Sequence, residues 1–536
     1  MTSFRSACLA AFAAAGFTCA HAEDQATNIN RIADEGFNHG QVVALASHLT
    51  DRIGGRMTNS PAMREAEKWT QQMFRSWGLK DVRAEPFEFG RGWWIESAHS
   101  RMVAPRSLEL RSIPTAWTPA TKGPVTGEVI VAPIRHVRDL DKWKGKLKGK
   151  MVLISYPEPP KDETTASFKR LDDAELAKLG NYHQPNFEPD ASAENIKRYF
   201  ALTREIDRFM AEEGALALVR MSRLGHGLVH GEGNFFKMGE TLTLPQIEMA
   251  AEDYRRLARL AKGGPVQLEI DNKVHFEDKD LNGYNILADI PGKDPKAGYI
   301  MAGAHLDSWV AGDGAADNGA GSVVIMEAAR ILSALQVKPK RAIRFALWAG
   351  EEQGLIGSNA YIEKHLAKRP KPSDPELAKY PGYFWDTYPV TPLPGFNEMA
   401  GYFNIDNGSG KLRGIYAEGN FAAMPALRNW LAPFESMGAS KVVVQKTGGT
   451  DHEMMAAIGL PAFQFIQDPL DYETKVHHTN LDTFDHLRPD DLRQAAVILA
   501  TVLLQAADAD TPLPRNVLPR QPSATNPFLY RDPRRD

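Results

Sequence analysis

The sequence predicts an α/β fold interrupted by an inserted β-rich block. Three observations carry that reading. At 536 residues the chain exceeds one ordinary domain. From Tyr284 onward, apolar runs of strand length alternate with helical patterns, as in strands joined by crossover helices. Between Pro114 and Asp280 the character changes to short β runs with an alternation of their own.

The elements follow in chain order. Arg5 precedes an apolar run, Ala7 to Phe17, and Ala20-His21-Ala22 fits the small-x-small rule for a cleaved signal peptide over 1–22, so export to a periplasm or the medium is expected. Both cysteines, Cys8 and Cys19, fall inside that segment, and Phe17-Thr18 is a poor lead-in for lipid attachment at Cys19. Residues 23–113 form the N-terminal part of the main domain. There Asn59-Ser60-Pro61 opens a helix that Gly78 closes, and Val82 to Trp94 reads as a strand-like stretch. Residues 114–280 form the insertion, with strands at Gly127–Ala132, Lys150–Ser155, Leu216–Val219 and Val266–Ile270 and a polar loop from Pro157 to Asn195. Residues 281–510 carry strands at Asn285–Ile290, Tyr299–Ala304, Ile343–Trp348, Tyr402–Ile405 and Ala462–Ile466, with helices at Gly321–Leu335 and Leu492–Ala507. The Pro- and Arg-rich residues 511–536 read as a flexible tail.

Composition excludes several function classes. With 43% hydrophobic and 24% charged residues, the chain has the balance of a soluble globular protein. A formal net charge of −4 and the lack of a long basic run argue against a nucleic acid or membrane-surface partner. No later stretch is apolar for long enough to span a bilayer.

Polar residues directly after the expected strands are the informative ones, because sites in open α/β sheets form outside the carboxyl ends of strands. One strand runs into His305-Leu306-Asp307, another through Ala349-Gly350 into Glu351-Glu352, and a third into Asp406. Each piece has a plain structural explanation by itself. His305 could be a strand-end histidine, Asp317-Asn318 a helix cap, Glu351-Glu352 a solvated pair and His477-His478 part of a polar loop. Their convergence on one rim points instead to a metal site of histidine and carboxylate ligands, suited to zinc, cobalt or manganese. Two divalent cations about 3.5–4 Å apart can clamp a water and polarise a carbonyl, provided one carboxylate is shared and another stays free as base.

In order along the chain stand an H-x-D box at His305, a D-N-G-x-G box at Asp317, an E-E-x-G-x-x-G-S box at Glu351 and an H-T-x-x-D-T box at His478. Together they resemble the metal-site motifs of the cocatalytic zinc aminopeptidases, a family that includes the glutamate carboxypeptidases. The likeness covers most of Leu281 to Ala507. With an insertion resembling a protease-associated domain, the layout is similar to the plasma glutamate carboxypeptidase branch. The resemblance implies a mixed, mostly parallel sheet sandwiched by helices, and two zinc ions per chain. It implies that His305 and Asp406 bind one ion and Glu352 and His478 the other, with Asp317 bridging. Glu351 would be the general base and acid, Asp307 would orient His305, and a cis peptide would follow Asp317. Asp313 competes with Asp317 as the bridge, and His477 with His478. Asp451 and His452, in a segment resembling one near the family's site, are placed beside substrate, against a plain glycine-rich turn. The aromatic stretch Pro381 to Pro394 is a candidate cleft wall. The resulting expectation is an exopeptidase, an aminopeptidase or dipeptidase, acting on small peptides. A one-zinc glutaminyl-cyclase-like acyltransferase and a non-catalytic binding protein of the same fold are the alternatives.

Overall fold

The computed structural model describes residues 26–161, 164–181, 193–233, 242–385 and 389–518. The expected signal peptide with both cysteines and the last part of the expected tail lie outside these residues.

Eight strands form the central sheet: β1 (Lys80–Glu88), β2 (Asn282–Ile290), β3 (Tyr299–His305), β4 (Ala342–Trp348), β5 (Met399–Asn404), β6 (Leu412–Tyr416), β7 (Lys441–Val443) and β8 (Ala462–Gln467). Their spatial order is β1-β2-β4-β3-β5-β8-β6-β7. The inner strands β4, β3, β5 and β8 run parallel, while β1 with β2, β2 with β4, and β6 with β8 pair antiparallel. The sheet is therefore mixed and mostly parallel at its centre.

The inner strands are mostly apolar because both of their faces are covered, and the polar residues within them, Arg344, Asn404 and Gln464, are hydrogen-bonded. In β3, Ile300, Ala302 and Ala304 enter one core, and Tyr299 and Met301 enter the other. In β4, Ile343, Phe345 and Leu347 lie on the first face, and Ala346 and Trp348 on the second. This is the two-residue period of a strand, dividing one run between two layers. The first layer holds helices α1 (Pro61–Ser76), α2 (Ala320–Ala334) and α3 (Pro489–Asp508). Ser60 caps α1 by accepting from the Met63 amide, and Pro61 opens it. α2 is buried from Ala320 to Leu332, so it sits wedged between sheet and α3 and shows no polar face. Each fully buried Val or Ile there contributes about 1.5–3 kcal/mol of transfer free energy.

A second eight-stranded sheet takes the chain from Gly92 to Glu277. The aromatic stretch Val82 to Trp94 is consequently two strands in two different sheets, broken between Glu88 and Gly92. In the middle of the second sheet Val125–Val131, Lys150–Leu153, Ala217–Met221 and Gln246–Met249 run parallel. Helix Ala251–Leu260 covers one face through Tyr254 and Leu257. Helix Ala193–Glu212 covers the other through Ile206 and Met210. Inside the expected polar loop Pro157 to Asn195 lies a helix, Asp173–Leu179, with a reciprocal Asp172 and Glu175 capping box that its high polarity had hidden.

Candidate metal site at the strand ends

β3 is flanked in the sheet by β4 and β5, both parallel to it. Three neighbouring strands thus end together, and their continuations bring His305, Glu351-Glu352 and Asp406 to one rim. His305 is the last residue of its strand and is 1% exposed. Its Nε2 lies 3.3 Å from Asp317 Oδ1, 3.3 Å from Asp406 Oδ1 and 3.9 Å from Glu351 Oε2. His478 approaches from the other side, its Nε2 3.0 Å from Asp317 Oδ2 and 3.0 Å from Glu352 Oε2. The two oxygens of Asp317 therefore face the two halves of the site. Two sets of ligand atoms lie close enough for an ion, His305 with Asp317 and Asp406, and Asp317 with His477 and His478.

The loop that carries Asp317 is held rigidly. The peptide from Asp317 to Asn318 is cis, as the resemblance implied. Asn318 donates to the Ile405 carbonyl at 2.9 Å and accepts from the Gly321 amide at 2.9 Å, tying the loop to the end of β5 and the start of α2. Asp482 accepts from the amides of Ala316 and Asp317. Arg56, 0% exposed, donates to the carbonyls of Gly54, Leu306, Asp313 and Gly314. Its guanidinium replaces water for a loop that must stay in place while buried. Burial pulls the Arg56 pKa down to about 10, against the pull of Asp482 and Asp307.

Asp307 divides its work. Its carbonyl accepts from His305 Nδ1 at 2.9 Å, whereas its carboxylate stands 3.7 Å away from that nitrogen. The carboxylate instead accepts from Thr58 Oγ1 at 3.1 Å and from the Glu351 and Glu352 amides at 3.3 and 3.4 Å. The Nδ1 proton is thereby fixed, leaving the Nε2 lone pair for the site.

The electrostatics call for a cation. Asp317, Glu351, Asp406 and Asp451 are all at most 8% exposed, and the Glu352 side chain is 3% exposed. Burial pushes the Glu351 carboxyl well above the carboxylate range, and Asp406, Asp451 and Glu352 add to the push against His305. Burial likewise lifts Glu352 to about 7. For Asp317 the burial is outweighed by His305 and His478, which hold it well below the ordinary range. Asp317 Oδ2 and Glu352 Oε1 are buried without a hydrogen-bond partner, although both are acceptors. Crowded buried carboxylates with unpartnered oxygens are stable only when neutralised, and nitrogen and oxygen donors in this arrangement suit zinc.

The competing residues separate by position. Asp313 belongs to neither ligand set, and its surroundings are Asp51 and Arg56. His477 lies 3.5 Å from Asp317 Oδ2, farther than His478, and is more exposed. Asp451 is fully buried, feels the charges of His305 and Asp406, and is pushed up to about 7 by burial. Ser358 is the neutral side chain that pulls against that push. His452 instead sits 3.2 Å from Glu418, so the adjacent pair has two different surroundings. In the aromatic stretch Pro381 to Pro394, Tyr383 is pushed up to about 12 by burial, Glu453 and Glu351. Residues 386–388 of that stretch lie outside the described residues.

Several site residues escaped the sequence reading. Arg56 and Thr58 precede α1 and carry no motif. Asn404 stands inside an apolar strand, yet it donates to Thr450 at 2.8 Å and to Gln464 at 2.9 Å and accepts from Tyr402, which itself accepts from Trp348 Nε1 at 2.8 Å. A polar residue in a buried run was the one available signal. Glu232 comes from the second block, and its Oε1 lies 2.7 Å from His478 Nδ1.

Residues 285–503 match the profile of Peptidase family M28. Mouse (Mus musculus) carboxypeptidase Q is 23% identical over 502 residues, 93% of this chain and 92% of that one. A peptidase M28 precursor from Shewanella amazonensis SB2B superposes with a TM-score of 0.65 at 21% identity, covering 93% of this chain and 100% of the other. A zinc aminopeptidase from Bacillus subtilis superposes with a TM-score of 0.55 at 18% identity, covering 88% and 95%.

Proposed function

The chain belongs to peptidase family M28, a family of metallo-exopeptidases, and we propose from that premise that it is an exported two-zinc aminopeptidase or dipeptidase acting on small peptides. The observation that carries the proposal is Asp317, whose two oxygens face His305 and His478 while Glu351 stands free beside them. His305 and Asp406 would hold one ion, Glu352 and His478 the other, and Asp317 both. When bound, the pair supplies Lewis acidity toward the scissile carbonyl and makes water a nucleophile near neutral pH.

The chain's own residues supply the rest. Glu351 Oε2 takes the proton of the attacking water and delivers it to the leaving amine. Asp307 holds the turn that presents Glu351. Asp451, buried beside His305 and Asp406 and given no ion to hold, is the carboxylate left to receive a substrate ammonium, which favours recognition of a free N-terminus. The second block meets the main domain at His478 and again at Tyr380, where Phe200 stacks at 4.7 Å and Lys197 meets Asp374 at 2.8 Å. Contacts on both sides restrict the length of peptide that enters. Among the described residues no helix is long and apolar enough to cross a membrane. Arg5, the apolar run and Ala20-His21-Ala22 support export, and N-terminal sequencing of the mature protein should begin near Glu23.

Metal analysis of the purified protein together with a panel of free and end-blocked dipeptides tests the function. Two zinc per chain, with turnover lost on blocking the amino end, is the expected result. One ion and no peptide turnover would overturn it in favour of one-zinc acyl transfer. No ion at all would favour a binding role.

A further inference from the structure

The two histidines of the site are oriented by different parts of the molecule. His305 donates its Nδ1 proton to the carbonyl of Asp307, two residues away on the same strand extension. His478 donates its Nδ1 proton to a carboxylate 246 residues distant, Glu232, at 2.7 Å. Glu232 is itself gripped by Arg223, whose Nη1 stands 3.0 and 3.1 Å from its two oxygens. Next to it the second block and the main domain are laced together. The Val229 amide donates to Asn480 Oδ1 at 2.9 Å, and the Asn480 amide donates to the Val229 carbonyl at 3.1 Å. His478 also has a left-handed backbone, φ 60°, which a residue with a Cβ keeps only when its surroundings hold it.

Resting on the two-metal reading above, we infer that Glu232 is a positioning residue through which the second block controls one metal site and not the other. A carboxylate accepts and never donates here, so it keeps the His478 proton on Nδ1 and aims the Nε2 lone pair at the space between Asp317 and Glu352. A charged acceptor also raises the basicity of the imidazole as a ligand. His305 needs none of this, since its strand end and a neutral carbonyl set its orientation. One site is therefore built by the central sheet alone, and the other is completed only when the second block is docked.

Calorimetric titration of metal-free protein with Zn2+ tests this. The wild type should show two sites. Glu232→Ala should weaken one of them by about 10–100-fold and leave the other unchanged, with Glu232→Gln, which keeps a neutral acceptor, in between. Equal affinities in all three proteins would overturn the inference, as would equal weakening of both sites in Glu232→Ala. A wild type that binds fewer than two ions would overturn the two-metal reading itself. If Glu232→Ala does not fold, imidazole nitrogen NMR of the wild type decides: His478 should show a protected Nδ1 proton, and its absence overturns the inference.

Discussion

The two eight-stranded sheets resemble each other in size and in having parallel strands at their centres, yet they are used differently. In the central sheet three neighbouring parallel strands end on one rim, and each delivers an imidazole or carboxylate side chain at its end or just beyond it. In the second sheet the strands are more alternating, as in Gln267–Glu277 with Leu268, Ile270 and Val274 turned inward. That sheet reaches the chemistry through a loop, at Glu232. Side chains at the ends of strands buried on both faces inherit the precision of the sheet. A loop has to be held by added contacts.

Asp317→Asn strikes the point where the halves of the site meet and should have the largest effect. Loss of both ions and of all measurable turnover is expected, with Asp313→Asn retaining metal and activity as the control. If Asp313→Asn loses the ions instead, the bridge is misplaced. Glu351→Gln should come next, lowering kcat by about 10²–10⁴-fold while metal content and Tm stay at wild-type values. Retained turnover would remove Glu351 from proton transfer.

The scaffold is addressed by Arg56→Met, which leaves the carbonyls of Leu306, Asp313 and Gly314 without their buried donor. A loss of about 3–5 kcal/mol in denaturant unfolding is expected. A loss under about 1 kcal/mol would show that the loop holds itself. At the second block, Phe200→Ala removes the stack on Tyr380, which contributes about 0.5–1.5 kcal/mol beyond burial. It should admit longer peptides, read as a higher kcat/KM for them relative to dipeptides. Lys197→Ala removes a partly exposed pair with Asp374 and should cost about 0–1 kcal/mol. If it matches Phe200→Ala, the block is held by charge and not by ring contact.

Much of the central sheet was legible before any geometry. Tyr299 to Ala304 is a continuous apolar run and Ile343 to Trp348 is one broken by Arg344 alone, and such runs between polar boundaries have few other uses. The ligand candidates were legible for the same reason, as polar residues set directly after those runs. The short strands β6 and β7, at one side of the sheet, were missed, because Leu412–Tyr416 and Lys441–Val443 mix polar and apolar residues over too short a run. Val82 to Trp94 was read as one element, since the break near Gly90 is marked by composition and not by hydropathy.

By itself the sequence determined the fold class, the order of the strands that bear the site and the kind of chemistry those residues support, because hydrophobic period and residue type are local properties. Only the tertiary structure decided that Asp317 and not Asp313 lies between the two histidines, that Arg56 holds the loop beneath them, and that Glu232 orients His478. Those are contacts between residues far apart in the chain, and they exist only once the sheets have packed and burial has made each unpartnered oxygen costly.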